Sequence, residues 1–397
     1  MLAATLFGSL LLAPQTAAPA QDPKKPDAQK PVETKAQKEE RLHQEDLKRD
    51  TETGAKYSAE ADKQFKASTN QEYIARVQKI GAVIADIANK TPINVLWGDK
   101  RLNPFHYTYK VIQGDDVNAF SLPGGFIYVY EGLLKQVESD DELAGVLAHE
   151  TAHASERHVS TLQKEQSKMQ SISLPLVLLA ILTGGASAAG NALGLSSLVM
   201  QATGSGWSVK AEESADYGGF QYLLKSPYDP TGMLTFMEKL ARRNMLTDNI
   251  DWGIYKSHPP SKERAETLTG YMKDAKIPIR RSRVAASFRT TVQDATGGGV
   301  ELRYSGKTLV TFGGPDAKAR ATAAAAKVND FFDSQPDLFE LKKGENGQIL
   351  GAGKVLFQMT ATDVLPAAAS VDQSQTQAMK AMQLALYGIG SRIWDRG

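Results

Sequence analysis

A chain of 397 residues with 46 Lys and Arg against 45 Asp and Glu, a formal net charge of +1, is long enough for about two domains and has no basic surplus with which to grip nucleic acid. With 42% hydrophobic and 23% charged residues it has the balance of a soluble globular protein rather than a membrane or disordered one. It has no cysteine, which excludes disulfides, thiolate metal ligands, a thiol nucleophile and a cysteine-linked lipid anchor.

The amino terminus, MLAATLFGSLLLAPQTAAPAQD, has an apolar core from Leu2 to Leu12 and then Ala18-Pro19-Ala20, the small-x-small pattern of a signal-peptidase site, though no basic residue precedes the core. Residues 1–20 are therefore expected to be a signal peptide and the protein to be exported, periplasmic or extracellular. Residues 21–53 are mostly Lys, Glu, Gln, Asp and Pro, with too little apolar surface to offset their ordering entropy, which predicts a disordered charged tether. From Glu72 the apolar residues Ile74, Val77, Ile80, Val83, Ile84 and Ile87 fall three or four apart, an amphipathic helix. FHYTYKVIQ (105–113) and FIYVY (126–130) read as strands, separated by GDDVNAFSLPGG with its Pro-Gly-Gly turn. Ser139-Asp140-Asp141-Glu142 is a capping-box pattern and marks the start of the next helix. On that helix Leu143, Val146, Leu147 and Ala154 form an apolar stripe, and Gly145, Ala148 and Ala152 let neighbouring backbone come close.

Residues 172–203 are the most apolar part of the chain beyond the leader, but their strongly apolar run, 174–182, is far short of the roughly 20 residues a membrane span needs and ends at Gly184-Gly185. A helical hairpin is expected there, either packed on the protein or dipping into a bilayer surface as a peripheral membrane contact. Beyond about Arg283 come short strands and two helical stretches, 316–332 and 373–393, a smaller α/β domain over 284–397 that carries no chemical motif and could recognise substrate, bind a partner, cap a site or simply pack. Gly297-Gly298-Gly299 lacks the Lys-Ser or Lys-Thr of a phosphate loop and is a turn. No solenoid-type repeat is evident. The fold class is α+β, with residues 54–283 as a mostly helical domain beside a small sheet.

The chemistry concentrates in VLAHETAHASERH, 146–158. His149 and His153 are four apart and project from one helical face, where two neutral imidazoles can chelate one metal ion, and zinc suits such a set. Glu150 stands on the neighbouring flank, where a carboxylate can take a proton from water attacking a carbonyl. A bland reading of the same spacing is a histidine pair on an ordinary helix. A third ligand must come from elsewhere, and WSVKAEESADYGG offers Glu212, with Asp216 one turn on to accept the distal N–H of a ligand histidine; the same pair would also serve as a solvated acidic face. His158 is expected to be structural, complementing the dipole at the end of the helix. His106 and His43 have no metal-ligand company.

HETAH, the Glu212-x-x-Ala215-Asp216 segment, the earlier VNAFSLPGGFIYVYEGLL and the later SHPPSKERAETL occur in this order. Together they resemble the gluzincin zinc metallopeptidases, the family that includes HtpX, BepA and the CAAX prenyl protease type I, on its exported soluble branch. The resemblance spans about 59–268. It implies a zincin-type catalytic domain with one zinc ion per chain held by His149, His153 and Glu212, Glu150 as general base and Asp216 supporting a ligand. It also implies that His258 faces the zinc site, stabilising an oxyanion or occupying the open position at rest. The family often has arginine soon after the serine matching Ser208, where this chain has Val209 and Lys210. A protease must hold its substrate extended, and Asn118, Ala119 and Phe120 are the candidates to grip it by backbone pairing, although a plain strand before a turn fits them too. The function expected is a zinc-dependent metalloendopeptidase acting on protein or peptide substrates, misfolded or unassembled envelope proteins in particular. The alternative is a zinc-binding, chaperone-like envelope protein whose apolar hairpin captures clients and whose hydrolysis is incidental.

Overall fold

The computed structural model describes residues 33–167, 207–244, 262–363, 370–390 and 392–393. The expected signal peptide, the first part of the expected tether, the apolar stretch 172–203 and His258 lie outside them. Contacts divide the chain into a short unit, Met1–Gln44, and a main unit, Glu45–Gly397. The described part of the first is residues 33–44, which include the start of helix α1 (Lys35–Gln64).

The tether expected over 21–53 is thus, from Lys35 onward, a helix. The composition argument missed the reason because it counted only apolar surface. Within the main unit α1 is held by ions as much as by carbon: Arg157 hydrogen-bonds Asp50 through Nε at 2.6 Å and lies 3.5 Å from Asp46, and Ser160 donates to Asp50 at 2.8 Å. Its last turns then bury Ala61 and half-bury Tyr57 and Phe65 against Phe120, Leu122, Tyr128 and Tyr130.

Helix α2 (Gln71–Lys90) follows, started by Asn70, whose side chain accepts from the backbone N–H of Glu72 and Tyr73. Of the stripe the periodicity predicts, Val77, Ile80 and Ile84 are buried, together with Ala88, while Ile74, Val83 and Ile87 are half-buried. Strands β1 (Thr108–Ile112), β2 (Ala119–Leu122) and β3 (Phe126–Tyr130) form a sheet ordered β1-β3-β2, parallel between β1 and β3 and antiparallel between β2 and β3, which leaves β2 at an edge. After one turn of helix, α3 (Glu131–Leu134), comes α4 (Asp140–Ser155), which carries the HETAH segment and is buried along nearly its whole length. Ser139 caps it by accepting from Glu142 N–H at 3.1 Å, as the capping box predicts. The Glu142 carboxylate, however, reaches the N–H of Glu138 rather than of Ser139, and also accepts from Lys239.

A helix buried on all sides needs close neighbours. Around α4 pack α2, α6 (Trp207–Leu223) and α7 (Thr231–Asn244), and its far end turns through Arg157 into α5 (His158–Ser167). Two glycines permit this: a Cβ on Gly145 would stand 2.7 Å from Met233 Cα on α7, and one on Gly219 of α6 would stand 3.0 Å from the His149 backbone nitrogen. Helix α8 (Lys262–Asp274) closes the cluster through Ala265, Leu268 and Met272. No helix among the described residues is long and apolar enough to cross a membrane.

The single turn α9 (Arg281–Val284) leads to a second hydrophobic core. Here β4 (Thr290–Asp294), β5 (Val300–Tyr304) and β6 (Lys307–Phe312) form one antiparallel sheet followed by α10 (Ala317–Asp333), and β7 (Leu341–Lys343), β8 (Gln348–Gly351) and β9 (Lys354–Gln358) form another followed by α11 (Val371–Leu386). The two β-β-β-α units are repeats. Each has a bulge in its middle strand, at Leu302/Arg303 and at Ile349/Leu350, and each turns into its third strand through two residues with positive φ, Ser305-Gly306 and Ala352-Gly353, followed by lysine. Besides its own sheet, α10 packs on β9 of the other unit, and α11 on β6.

Candidate active site

One turn of helix separates His149 from His153 on α4, and their Nε2 atoms stand 3.0 Å apart. Across from them α6 brings Glu212, with Oε2 at 3.3 Å from His149 Nε2 and Oε1 at 3.3 Å from His153 Nε2. Tetrahedral ligand atoms at 2.0–2.1 Å from zinc lie roughly 3.3 Å from one another, so these spacings and this two-nitrogen, one-carboxylate donor set fit a single zinc-sized ion. Among the described residues this is the group of histidines and acids able to hold a metal. The solvated acidic face that the sequence also allowed for 212–216 is not what the structure shows, since Glu212 and Asp216 are both buried.

The rest of the site supports these three. Asp216, one turn beyond Glu212, places Oδ1 at 3.0 Å from His149 Nδ1. Arg264 of α8 holds Asp216 with two hydrogen bonds, Nε at 2.7 Å and Nη2 at 2.8 Å, and sets Nη1 at 3.1 Å from Glu212. Burial pushes both imidazoles toward the neutral form. For His149 the hydrogen bonds with Asp216 and Glu212 outweigh it and raise the pKa to about 10, whereas His153 stays well below its usual value. Burial would likewise raise Asp216, but the Arg264 guanidinium and His149 together hold it below the usual carboxylate range.

Glu150 is buried and lines, with His149, Asp216 and Arg264, a cavity whose other walls are apolar, among them Val146, Met233 and Phe236. Asn118, Ala119 and Phe120 are placed on or beside edge strand β2. Ala119 faces the core shared with α4 and Phe120 faces α1, stacked on Tyr128 at 4.9 Å. The carbonyl of Asn118 accepts from Tyr130 N–H at 3.0 Å, so by antiparallel alternation the backbone groups of Ala119 and Ser121 point away from β3, toward the side of β2 that no other described strand pairs with, although all four residues of β2 are buried.

Sequence reasoning missed three side chains at this site. Arg264 lay inside a quoted motif without a role, and nothing in its spacing ties it to Asp216. His158, expected to complement the end of the HETAH helix, instead opens α5, because α4 stops at Ser155 and Arg157 takes a left-handed φ of 56°. Its ring contacts His153, Nδ1 to Nδ1 at 2.9 Å. Glu156, buried at the same elbow, accepts from Ser214 Oγ and lies 3.0 Å from His158 Nε2.

Residues 90–272 match peptidase family M48. Over 261 residues the chain is 28% identical to the Beta-barrel assembly-enhancing protease of Yersinia pestis, which covers 64% of this chain and 50% of that one. Over 170 residues it is 31% identical to the protein of the same name from Escherichia coli (strain K12), covering 40% of this chain and 30% of that one. The Metalloprotease LoiP of Escherichia coli (strain K12) is 29% identical over 211 residues, covering 52% of this chain and 73% of LoiP. The match thus spans half or less of the two assembly-enhancing proteases.

Proposed function

Because residues 90–272 match peptidase family M48, we propose that the chain is a zinc-dependent metalloendopeptidase in which His149, His153 and Glu212 hold the metal and Glu150 is the general base. The observation that carries this reading is the convergence of three ligand atoms from two helices, with Glu150 next to His149 in the lining of an adjoining cavity. Zinc held there would polarise a scissile carbonyl and make water reactive toward it at neutral pH. Glu150 takes the proton of the attacking water and later delivers it to the leaving amine. Asp216, clamped by Arg264, keeps the Nδ1–H of His149 turned inward so that Nε2 keeps its lone pair for the metal. The side of β2 away from β3, where the backbone groups of Ala119 lie, takes the substrate as an added strand, while the Asn118 carbonyl and the backbone of Phe120 are engaged with β3. His258 has the role of stabilising the oxyanion by family resemblance alone.

The substrates inferred are misfolded or unassembled envelope proteins met after export. The signal-like amino terminus and the names of the relatives support this reading. Cleavage of casein by the zinc-loaded protein beside Glu150→Gln is the test. The variant should keep its zinc and lose activity by about 100-fold or more. Undiminished cutting by the variant would remove Glu150 from the mechanism. Zinc binding without cutting by either protein would favour the client-binding alternative.

A further inference from the structure

The two histidines of the proposed metal centre are supported by different chemistry. His149 leans on a carboxylate, Asp216. His153 leans on a third histidine, and the geometry around that ring fixes where the protons sit. His158 Nε2 lies 2.9 Å from the backbone carbonyl of Trp97, which can only accept, so Nε2 carries a hydrogen. The same hydrogen also faces Glu156 Oε2 at 3.0 Å. In the neutral ring Nδ1 is then an acceptor, and the atom 2.9 Å from it is His153 Nδ1, which must donate. That leaves the lone pair of His153 on Nε2, the atom facing His149 Nε2 and Glu212.

The support of His158 is itself fixed. Ser214 Oγ accepts from the backbone N–H of Leu96 at 3.1 Å and of Trp97 at 3.0 Å, so its own hydrogen is directed to Glu156. Trp97 also lays its ring against His158, centroids 5.3 Å apart. Glu156, His158 and Ser214 are all buried, so water does not compete for these bonds. We propose that His158, held by the Trp97 carbonyl and by Glu156, is a positioning residue that sets the tautomer of His153 for metal binding.

The proposal rests on the metal-centre reading above, and its test separates the two. In the full-length protein, zinc affinity is measured by chelator competition, the visible spectrum is recorded with cobalt in place of zinc, and the thermal midpoint is taken without metal. His158→Leu, which removes the acceptor, should bind zinc roughly 10- to 100-fold more weakly and shift the cobalt bands. His158→Asn, whose Oδ1 can stand where Nδ1 stood, should recover most of the affinity. Equal zinc affinity for the parent and His158→Leu would overturn the proposal, as would equal weakening in the Leu and Asn variants, which marks a packing role. Nitrogen-15 spectra of the imidazoles in the zinc-loaded parent test the same point without a mutation. They should show His158 with its hydrogen on Nε2 and His153 with its hydrogen on Nδ1, and the reverse assignment would refute the relay. A parent that binds no zinc would remove the metal centre and the proposal with it.

Discussion

Arg264 shows how much of a site can depend on a side chain that touches no substrate. It is the cation facing two buried carboxylates, bonded twice to Asp216 and 3.1 Å from Glu212. Replacing it by methionine keeps most of the volume and leaves the two buried acids to share His149, and removing one partner of a buried charge pair costs about 3–5 kcal/mol. Urea denaturation of metal-free Arg264→Met should therefore show a stability loss of that order, and added zinc should recover part of it by binding only the folded state. Unchanged stability would mean that Glu212 and Asp216 are neutralised another way. At this scale the sequence was legible where the chemistry is local. His149, Glu150 and His153 lie within one turn and a half of helix, and Glu212 and Asp216 within another. Arg264, Ser214 and the Trp97 carbonyl act across tertiary contacts, and no spacing rule reaches them.

Helix α4 is placed by steric permission and by ions. Gly145 lets α7 approach to where any side chain would meet the Met233 backbone, so Gly145→Ala must push the two helices apart. The expected loss is about 1–3 kcal/mol, read as a lower thermal midpoint with helix content kept, and an unchanged midpoint would show that the interface yields freely. At the far end Arg157 ties the α4–α5 elbow to α1 and to the segment around Asp99, which it meets at 2.7 Å. Burial alone would raise the Asp99 carboxyl, but hydrogen bonds from Arg101 and Arg157 more than reverse this and hold it well below the usual carboxylate range. A carboxyl lowered by folding adds stability that is fully present above its unfolded value, about pH 3.9, and is lost as the pH falls through the folded one. Asp99→Asn should thus lower stability at pH 7 by about 2 kcal/mol and flatten the decline below about pH 4. A parallel downward shift of the whole pH curve would deny Asp99 its part in that decline. The helical start of α1 escaped the sequence because its anchors are Asp46 and Asp50, indistinguishable in composition from the solvated charges around them.

Across the whole molecule, elements with a clear period were the legible ones: α2, α4, β1 and β3 stand where their apolar spacing and turn signals put them. The carboxy-terminal repeat was not, because its two copies share turn geometry and a bulge more than side chains. That second core is joined to the first by polar contacts as well: Arg281 of α9 forms a buried ion pair with Glu238 of α7, and the neighbouring Ser282 donates two hydrogen bonds to Asp333 of α10. The relay behind His153 has a meaning in time as well as in space. It draws on a loop at Trp97, an elbow at Glu156 and a helix at Ser214, segments far apart along the chain that meet only when α6 has docked on α4. A polypeptide still being made has none of these meetings. The support of the metal site proposed here therefore comes into being only with the finished fold.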